Sequence, residues 1–296
     1  MANKNKIKKR SPIIYWIVFS FLMLDAIMLI CLYSWGFLTS VKTTNGFLKN
    51  MLFPTWPWEW DFSNYETALS LFKKAIIYEG SVYYIGVGGM FYNTIVYCLI
   101  TASVGTFTQW CMAYLVGRFR CKMTDFIYKA VVVLMMIPVM GTLPAALAFR
   151  KALGLYDNWI GVLAWSVSWG GYNFLILHTF VRNVAMDTIE AARIDGANNL
   201  VIMFGIVFPQ TINAFLILFT TAFIASWNDY MTMVIWLPSY PSLAYGVYTF
   251  STSNAVGASL PPIQCAGSML LAIPVFIAFL CLKDKILGGV NLSISK

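Results

Sequence analysis

The stretch EAARIDGANNLVIMFGIVFP occupies residues 190–209. It gathers Glu190, Arg193 and Asp195 in a chain of which only 11% is charged. Read locally, it is a short helix, a break and a second helix. Asp187 or Thr188 is placed to serve as N-cap, and Asp187-x-x-Glu190 resembles a capping box. Ala191 and Ala192 are strong helix formers with minimal side chains. Gly196 stands where a left-handed C-terminal residue belongs. The pattern predicts a helix over about 188–195, a restart at Asn198 and Asn199, and a run into Pro209. A helix of two turns is marginal alone in water, so it needs a surface to pack on. Small alanines allow close approach, either to lipid headgroups or to another protein.

The whole chain sets the context. Of its 296 residues, 59% are hydrophobic and 17% aromatic, and mean hydropathy is +0.72. Soluble domains carry about 25% charged residues, so this composition specifies a polytopic membrane protein. The net charge of +8 is read by its placement, as membrane topology and not as a nucleic-acid footprint. Cys31, Cys98, Cys111, Cys121, Cys265 and Cys281 form no CxxC pair and sit mostly in apolar runs, which argues against a disulfide framework or a metal site.

A membrane helix needs about 20 mostly apolar residues. Six segments qualify, at about 13–38, 90–116, 126–149, 159–181, 209–236 and 266–283. The first is too long for a signal peptide and is read as a retained span, despite Asp25 within it. With the N-terminus in the cytoplasm, Lys4, Lys6, Lys8, Lys9, Arg10, Arg118, Arg120, Lys122, Lys129, Arg182, Arg193, Lys283, Lys285 and Lys296 fall inside. Lys42, Lys49, Lys73, Lys74, Arg150 and Lys151 fall outside. That asymmetry follows the positive-inside rule and puts residues 190–199 on the cytoplasmic side. The organisation expected is a basic cytoplasmic tail (1–12), a first span (13–38), an extracytoplasmic segment (39–89), a core (90–285) holding the loop 187–209, and a cytoplasmic tail (286–296). The outer segment FPTWPWEWDFSNY, 53–65, reads as an interfacial aromatic belt. The connection 237–264 carries no charge and reads as a loop.

Glu190-Ala191-Ala192, then Gly196, then Ile206-x-Phe208-Pro209 resembles the EAA loop of ABC importer permeases, with Phe208 where Leu is usual. The resemblance extends to MalG-type permeases of carbohydrate importers over most of the chain. It is carried by FSNYETAL (62–69), AYLVGRFRCK (113–122), Met136-Ile137-Pro138, LGLYDNWIGVL (153–163) and SWNDY (226–230). The tail GGVNLSISK departs from the usual ending. The resemblance implies an all-α, six-span, type I importer permease in a prokaryotic cell membrane, with both termini cytoplasmic. It implies that Glu190, Ala191, Ala192, Arg193, Asp195 and Gly196 form a coupling helix on a dimeric cytoplasmic ATPase. A second, MalF-like permease and an extracytoplasmic solute-binding protein complete the assembly.

The chain lacks a GxxxxGK[ST] phosphate loop. No cofactor is expected on it, and ATP and Mg belong to the partner ATPase. The solute implied is a sugar of oligosaccharide size. Polar groups at membrane depth usually face the bundle interior or water. Asp229 is therefore the leading pathway candidate, with Trp227 and Asn228 beside it and Trp165, Trp169, Tyr172 and Asn173 in the fourth span. A bond from Asp229 to a neighbouring helix, and simple packing by the tryptophans, account for the same residues. His178, the single His, has no partners from which to assemble a catalytic site. Pro138, Pro144, Pro209 and Pro274 are candidate bending points. A non-sugar solute is the nearest alternative. An ion-driven transporter would require inverted repeats and broken helices, which the sequence does not display.

Overall fold

The computed structural model describes residues 12–78, 80–119, 121–137, 141–252, 260–270, 272, 273, 276, 277 and 280. The basic tail before residue 12, Arg120, Pro138, Pro274 and the tail 286–296 lie outside the described residues, as do eight of the eighteen residues of the sixth expected span. The described chain is mostly helical. Three of its helices are long and apolar enough to cross a membrane: Ile14–Ser40, Val87–Arg118 and Asn199–Trp227.

The chain divides into two compact units. The first holds residues 1–71 and 250–270. Its long helix α1 (Pro12–Ser40) is exposed along most of its length, as an apolar helix made to face lipid would be. The segment after it is folded tightly. Asn64 Nδ2 donates to the carbonyls of Ser40 (2.9 Å) and Lys42 (2.7 Å). Lys42 is fully buried, and its Nζ donates to the carbonyls of Asn50 and Met51. Short helices α2 (Thr44–Lys49) and α3 (Ser63–Leu71) flank these bonds. Trp56 and Trp58 stack with centroids 5.0 Å apart and remain exposed.

The second unit covers 72–249 and 271–296. It opens with an antiparallel hairpin, β1 (Lys74–Tyr78) and β2 (Ser81–Ile85). This hairpin departs from the all-α expectation. β-branched and aromatic residues flanking a two-residue turn that ends in Gly80, with φ +78, explain it. The next helix, α4 (Val87–Arg118), is the axis of the unit. One side of it buries Trp110, Ala113 and Tyr114 against Phe174, Leu177 and Val181 and against Ile202, Met203, Val207 and Ala214. Trp110 has no exposed surface, and its Nε1 donates to Thr211 Oγ1 at 2.9 Å.

Three expected spans are broken helices, which corrects the sequence reading. The third is α5 (Lys122–Met136) and α6 (Leu143–Ala152). Ile137 adopts ψ 114 because the following Pro138 disfavours helical geometry there. The fourth is α7 (Trp159–Ser166) and α8 (Tyr172–Asn183), parted at Gly171 with φ +115. The fifth ends its first part at Trp227 and resumes as α12 (Tyr230–Trp236). Between them come α9 (Met186–Ile194), α10 (Asn199–Val201), a π-helical turn Ile202–Val207 and α11 (Phe208–Trp227). Pro209 cannot donate, and its ring crowds the carbonyl of Gly205, so the ladder widens in the turn before it. The connection after α12 contains a further helix, α13 (Leu243–Ser251), where a loop was expected.

Backbone groups freed at the breaks find partners on α4. Thr108 Oγ1 donates to the Ser168 carbonyl (2.8 Å) and accepts from Ser168 N–H (3.2 Å). Gln109 Nε2 donates to Ser168 Oγ and the Gly170 carbonyl. Two turns away, beside the break after Trp227, a side-chain bond runs from Thr101 Oγ1 to Ser226 Oγ at 2.8 Å. Non-helical backbone persists at membrane depth only when neighbours supply such partners.

Candidate functional site

The segment between α8 and α10 is built from both ends by α4. At its start, Arg118 Nη2 donates to the carbonyls of Val181 and Val184, the latter at 2.8 Å. A cation on the last carbonyls of α8 satisfies acceptors that a helix end leaves open. At its finish, Tyr114 Oη donates to the Asn199 carbonyl at 3.3 Å. Arg118 and Tyr114 are one turn apart on the same helix, so the segment spans a fixed gap.

Within that gap α9 is a nine-residue helix. Ile189 is 2% exposed and anchors it to the core, with Ala192 partly buried one turn on. Glu190, Ala191, Arg193, Asp195 and Gly196 are all exposed. Ile194 is 87% exposed, far more than an isoleucine in a finished interior. The helix ends as the sequence indicated: Gly196 has φ +83, its N–H donates to the Arg193 carbonyl, and Ala197 N–H reaches back to Ala192. The restart is also as read, with Asn198 Oδ1 accepting from Val201 N–H at 2.9 Å. The start differs. The N-cap is Ala185, with no side-chain cap bond, and Asp187 lies in the first turn, where a carboxylate favours the helix dipole without capping it.

The pathway candidates sit at two different breaks. Trp227 is buried, its ring 6.1 Å from Phe91 and 6.0 Å from Phe223. Asn228 ends α11 and donates from Nδ2 to the Ile224 carbonyl. Asp229 is the N-cap of α12: Oδ1 accepts from Thr232 N–H at 3.0 Å and Oδ2 from Tyr97 Oη at 3.1 Å. Trp169 and Tyr172, 61% and 69% exposed, lie with half-buried Asn173 at the break between α7 and α8. α4 contacts the two breaks two turns apart, so the six residues do not form one cluster. His178 is buried, its ring 4.8 Å from Tyr128 and 6.0 Å from Phe174.

Sequence reading passed over Ile189 and Ile194, and it met Tyr114 and Arg118 only within the stretch AYLVGRFRCK and a charge count. Ile189 and Ile194 were both legible as apolar neighbours of the charged stretch. Which faced inward depended on where the helix began.

Among the described residues no group of His, Cys, Asp and Glu is disposed to hold a metal ion. The family model for the binding-protein-dependent transport system inner membrane component matches residues 109–283. A galactooligosaccharides transport system permease protein of Bacillus subtilis is 23% identical over 280 residues, covering 93% of this chain and 94% of that protein. A trehalose transport system permease protein of Mycobacterium tuberculosis is 22% identical, covering 94% and 95%. The crystal structure of a bacterial ABC transporter involved in the import of the acidic polysaccharide alginate contains a chain of the same fold. Its TM-score is 0.74 at 23% identity, with 93% of this chain and 97% of that chain covered.

Proposed function

The chain belongs to the family of binding-protein-dependent transport system inner membrane components, and we propose that it is one half of a heterodimeric permease for a sugar of oligosaccharide size. As a multi-pass permease component it is not itself an ATPase; hydrolysis belongs to a separate subunit. In this reading the chain crosses the membrane six times in the manner of a type I importer, with both termini cytoplasmic. The partner permease, the dimeric ATPase and an outer solute-binding protein complete the machine. The relatives named for galactooligosaccharides and trehalose support a sugar as solute.

One observation carries the coupling assignment. α9 presents an outward face of small, charged and apolar residues, while Arg118 and Tyr114 fix both ends of its segment. Such an element transmits motion: a push on α9 reaches α8 and α11 through α4 as a rigid-body displacement. Glu190, Ala191, Ala192, Arg193, Asp195 and Gly196 are assigned to this joint. Trp227, Asn228, Asp229, Trp169, Tyr172 and Asn173 are assigned to the walls of the solute path. Glu190→Lys reverses a charge on the joint, and Gly196→Asp strains a left-handed residue at a cost of about 1–2 kcal/mol. Each should abolish uptake and ATPase copurification while leaving membrane insertion intact. Undiminished uptake in both variants would refute the assignment.

A further inference from the structure

Arg150, near the end of α6, is 6% exposed. Its guanidinium carbon lies 3.4 Å from the ring centroid of Trp165 and 3.7 Å from that of Trp236. The two indoles are within 26° of parallel and 6.3 Å apart, so they cover both faces of the cation. What stacking leaves is the edge. On that edge Nε and Nη2 are buried and have no hydrogen-bond partner among the described residues. These two N–H groups lie on the same side of the guanidinium and point the same way. They form the side-on fork that accepts a carboxylate through two parallel bonds. A buried cation with an empty fork is destabilising by itself. Its presence points to a group that fills it.

The surroundings specify that group. Arg150 lines a cavity of about 40 Å³ with Tyr97, Thr101, Ser166, Thr232 and Asn158. At about 10–15 Å³ per water, it holds a carboxylate or a few waters but not a sugar ring. Hydroxyls from three helices converge on it. At its rim Trp165 is 60% exposed and offers an apolar face of the kind against which a sugar ring packs.

We propose that this cavity takes the carboxylate of an acidic sugar, a uronate unit of the solute. Arg150 grips both oxygens, and the ring rests on Trp165. The fork is sealed from solvent in this conformation, so the carboxylate enters as Trp165 swings aside. The proposal rests on the sugar-importer reading and narrows its solute class. By the charge asymmetry of the chain, Arg150 stands at the outer end of the third span, where solute arrives.

The chain has six arginines, at 10, 118, 120, 150, 182 and 193, so labelling arginine Nε with nitrogen-15 in this chain alone, before assembly with unlabelled partners, gives few signals. The experiment uses the assembled transporter in nanodiscs. D-galacturonate is titrated against D-galactose, and Arg150→Lys assigns the resonance. The expected result is a saturable shift of the Arg150 signal with galacturonate and none with galactose. Arg150→Lys, which keeps charge but loses the fork, should weaken galacturonate binding by about 10- to 100-fold, the range of a charged bidentate contact. A signal unmoved by galacturonate, including one already paired with an acid of a partner chain, overturns the proposal. So does an equal response to galactose. If a neutral sugar still stimulates ATP hydrolysis in that complex, the uronate site alone has failed. If no ATPase copurifies, the importer reading has failed instead.

Discussion

Two isoleucines five residues apart on one short helix should behave in opposite ways when truncated. Ile189 is 2% exposed and Ile194 is 87% exposed. Ile189 is the one buried residue of α9, so Ile189→Ala leaves the helix without its anchor. Truncations of this kind cost about 2–5 kcal/mol, and a helix of nine residues has no independent stability to offset that. The isolated chain should lose thermal stability in detergent, and α9 should gain protease sensitivity. Ile194→Ala removes three carbons that touch almost nothing in this chain, so stability should move by less than about 0.5 kcal/mol. If the ATPase docks on α9 as proposed, the same carbons are buried against it. At about 0.8 kcal/mol each, their loss weakens the complex by about 2.4 kcal/mol, or roughly 60-fold. The assays are a detergent melting curve of the permease and a titration of the purified ATPase onto nanodisc-held permease. Refutation would be an Ile194→Ala chain that melts markedly earlier, or one that binds the ATPase as tightly as the unaltered chain.

Other outcomes follow from the same contacts. Arg118→Gln removes a charged donor from the carbonyls of Val181 and Val184; it should destabilise the chain by about 1.5–3 kcal/mol and loosen α9, read by hydrogen exchange across 182–199. Trp110→Phe and Thr211→Val delete the two ends of one buried bond, and a double-mutant cycle of melting curves should give a coupling of about 1 kcal/mol. Cys121 is exposed. Backbone and side-chain bonds at Thr124 hold its thiol below the usual range. A membrane-impermeant maleimide should therefore label it in inverted vesicles and not in intact cells, and faster labelling as pH rises should set in below the pH usual for a free thiol.

How far the sequence carried depended on the distance over which each feature is decided. The segment from α9 to α10 was legible because its determinants are local: Gly196 for the left-handed exit, Asn198 for the next cap, alanines for the helix between. Its start was misjudged because two nearby residues, Asp187 and Thr188, are good caps in isolation, whereas Arg118, far earlier in the chain, secures the turn at Val184. The breaks in the third, fourth and fifth spans were missed for a related reason. Apolar content measures the cost of leaving lipid, and it does not register that Thr108 and Gln109 on α4 can satisfy backbone at Ser168 and Gly170. Broken helices are thus not peculiar to ion-driven carriers, and the sequence test that relied on them discriminates less than it promised. The hairpin at 74–85 announced itself only through β-branched and aromatic residues around Gly80, inside a segment read for its aromatic belt. Arg150 counted in the sequence only as one outer positive charge; the stacking that makes it a candidate ligand group needs Trp165 and Trp236 brought to it by the fold.

The central claim is that α9 is the joint with an ATP-hydrolysing subunit. A photo-crosslinking amino acid placed at Ile194 in living cells tests it most directly, because that side chain protrudes and disturbs nothing beneath it. The account predicts a crosslink to one protein that carries a GxxxxGK[ST] phosphate loop, diminished by Glu190→Lys. Crosslinks to lipid alone, or to a protein without that loop, would contradict it.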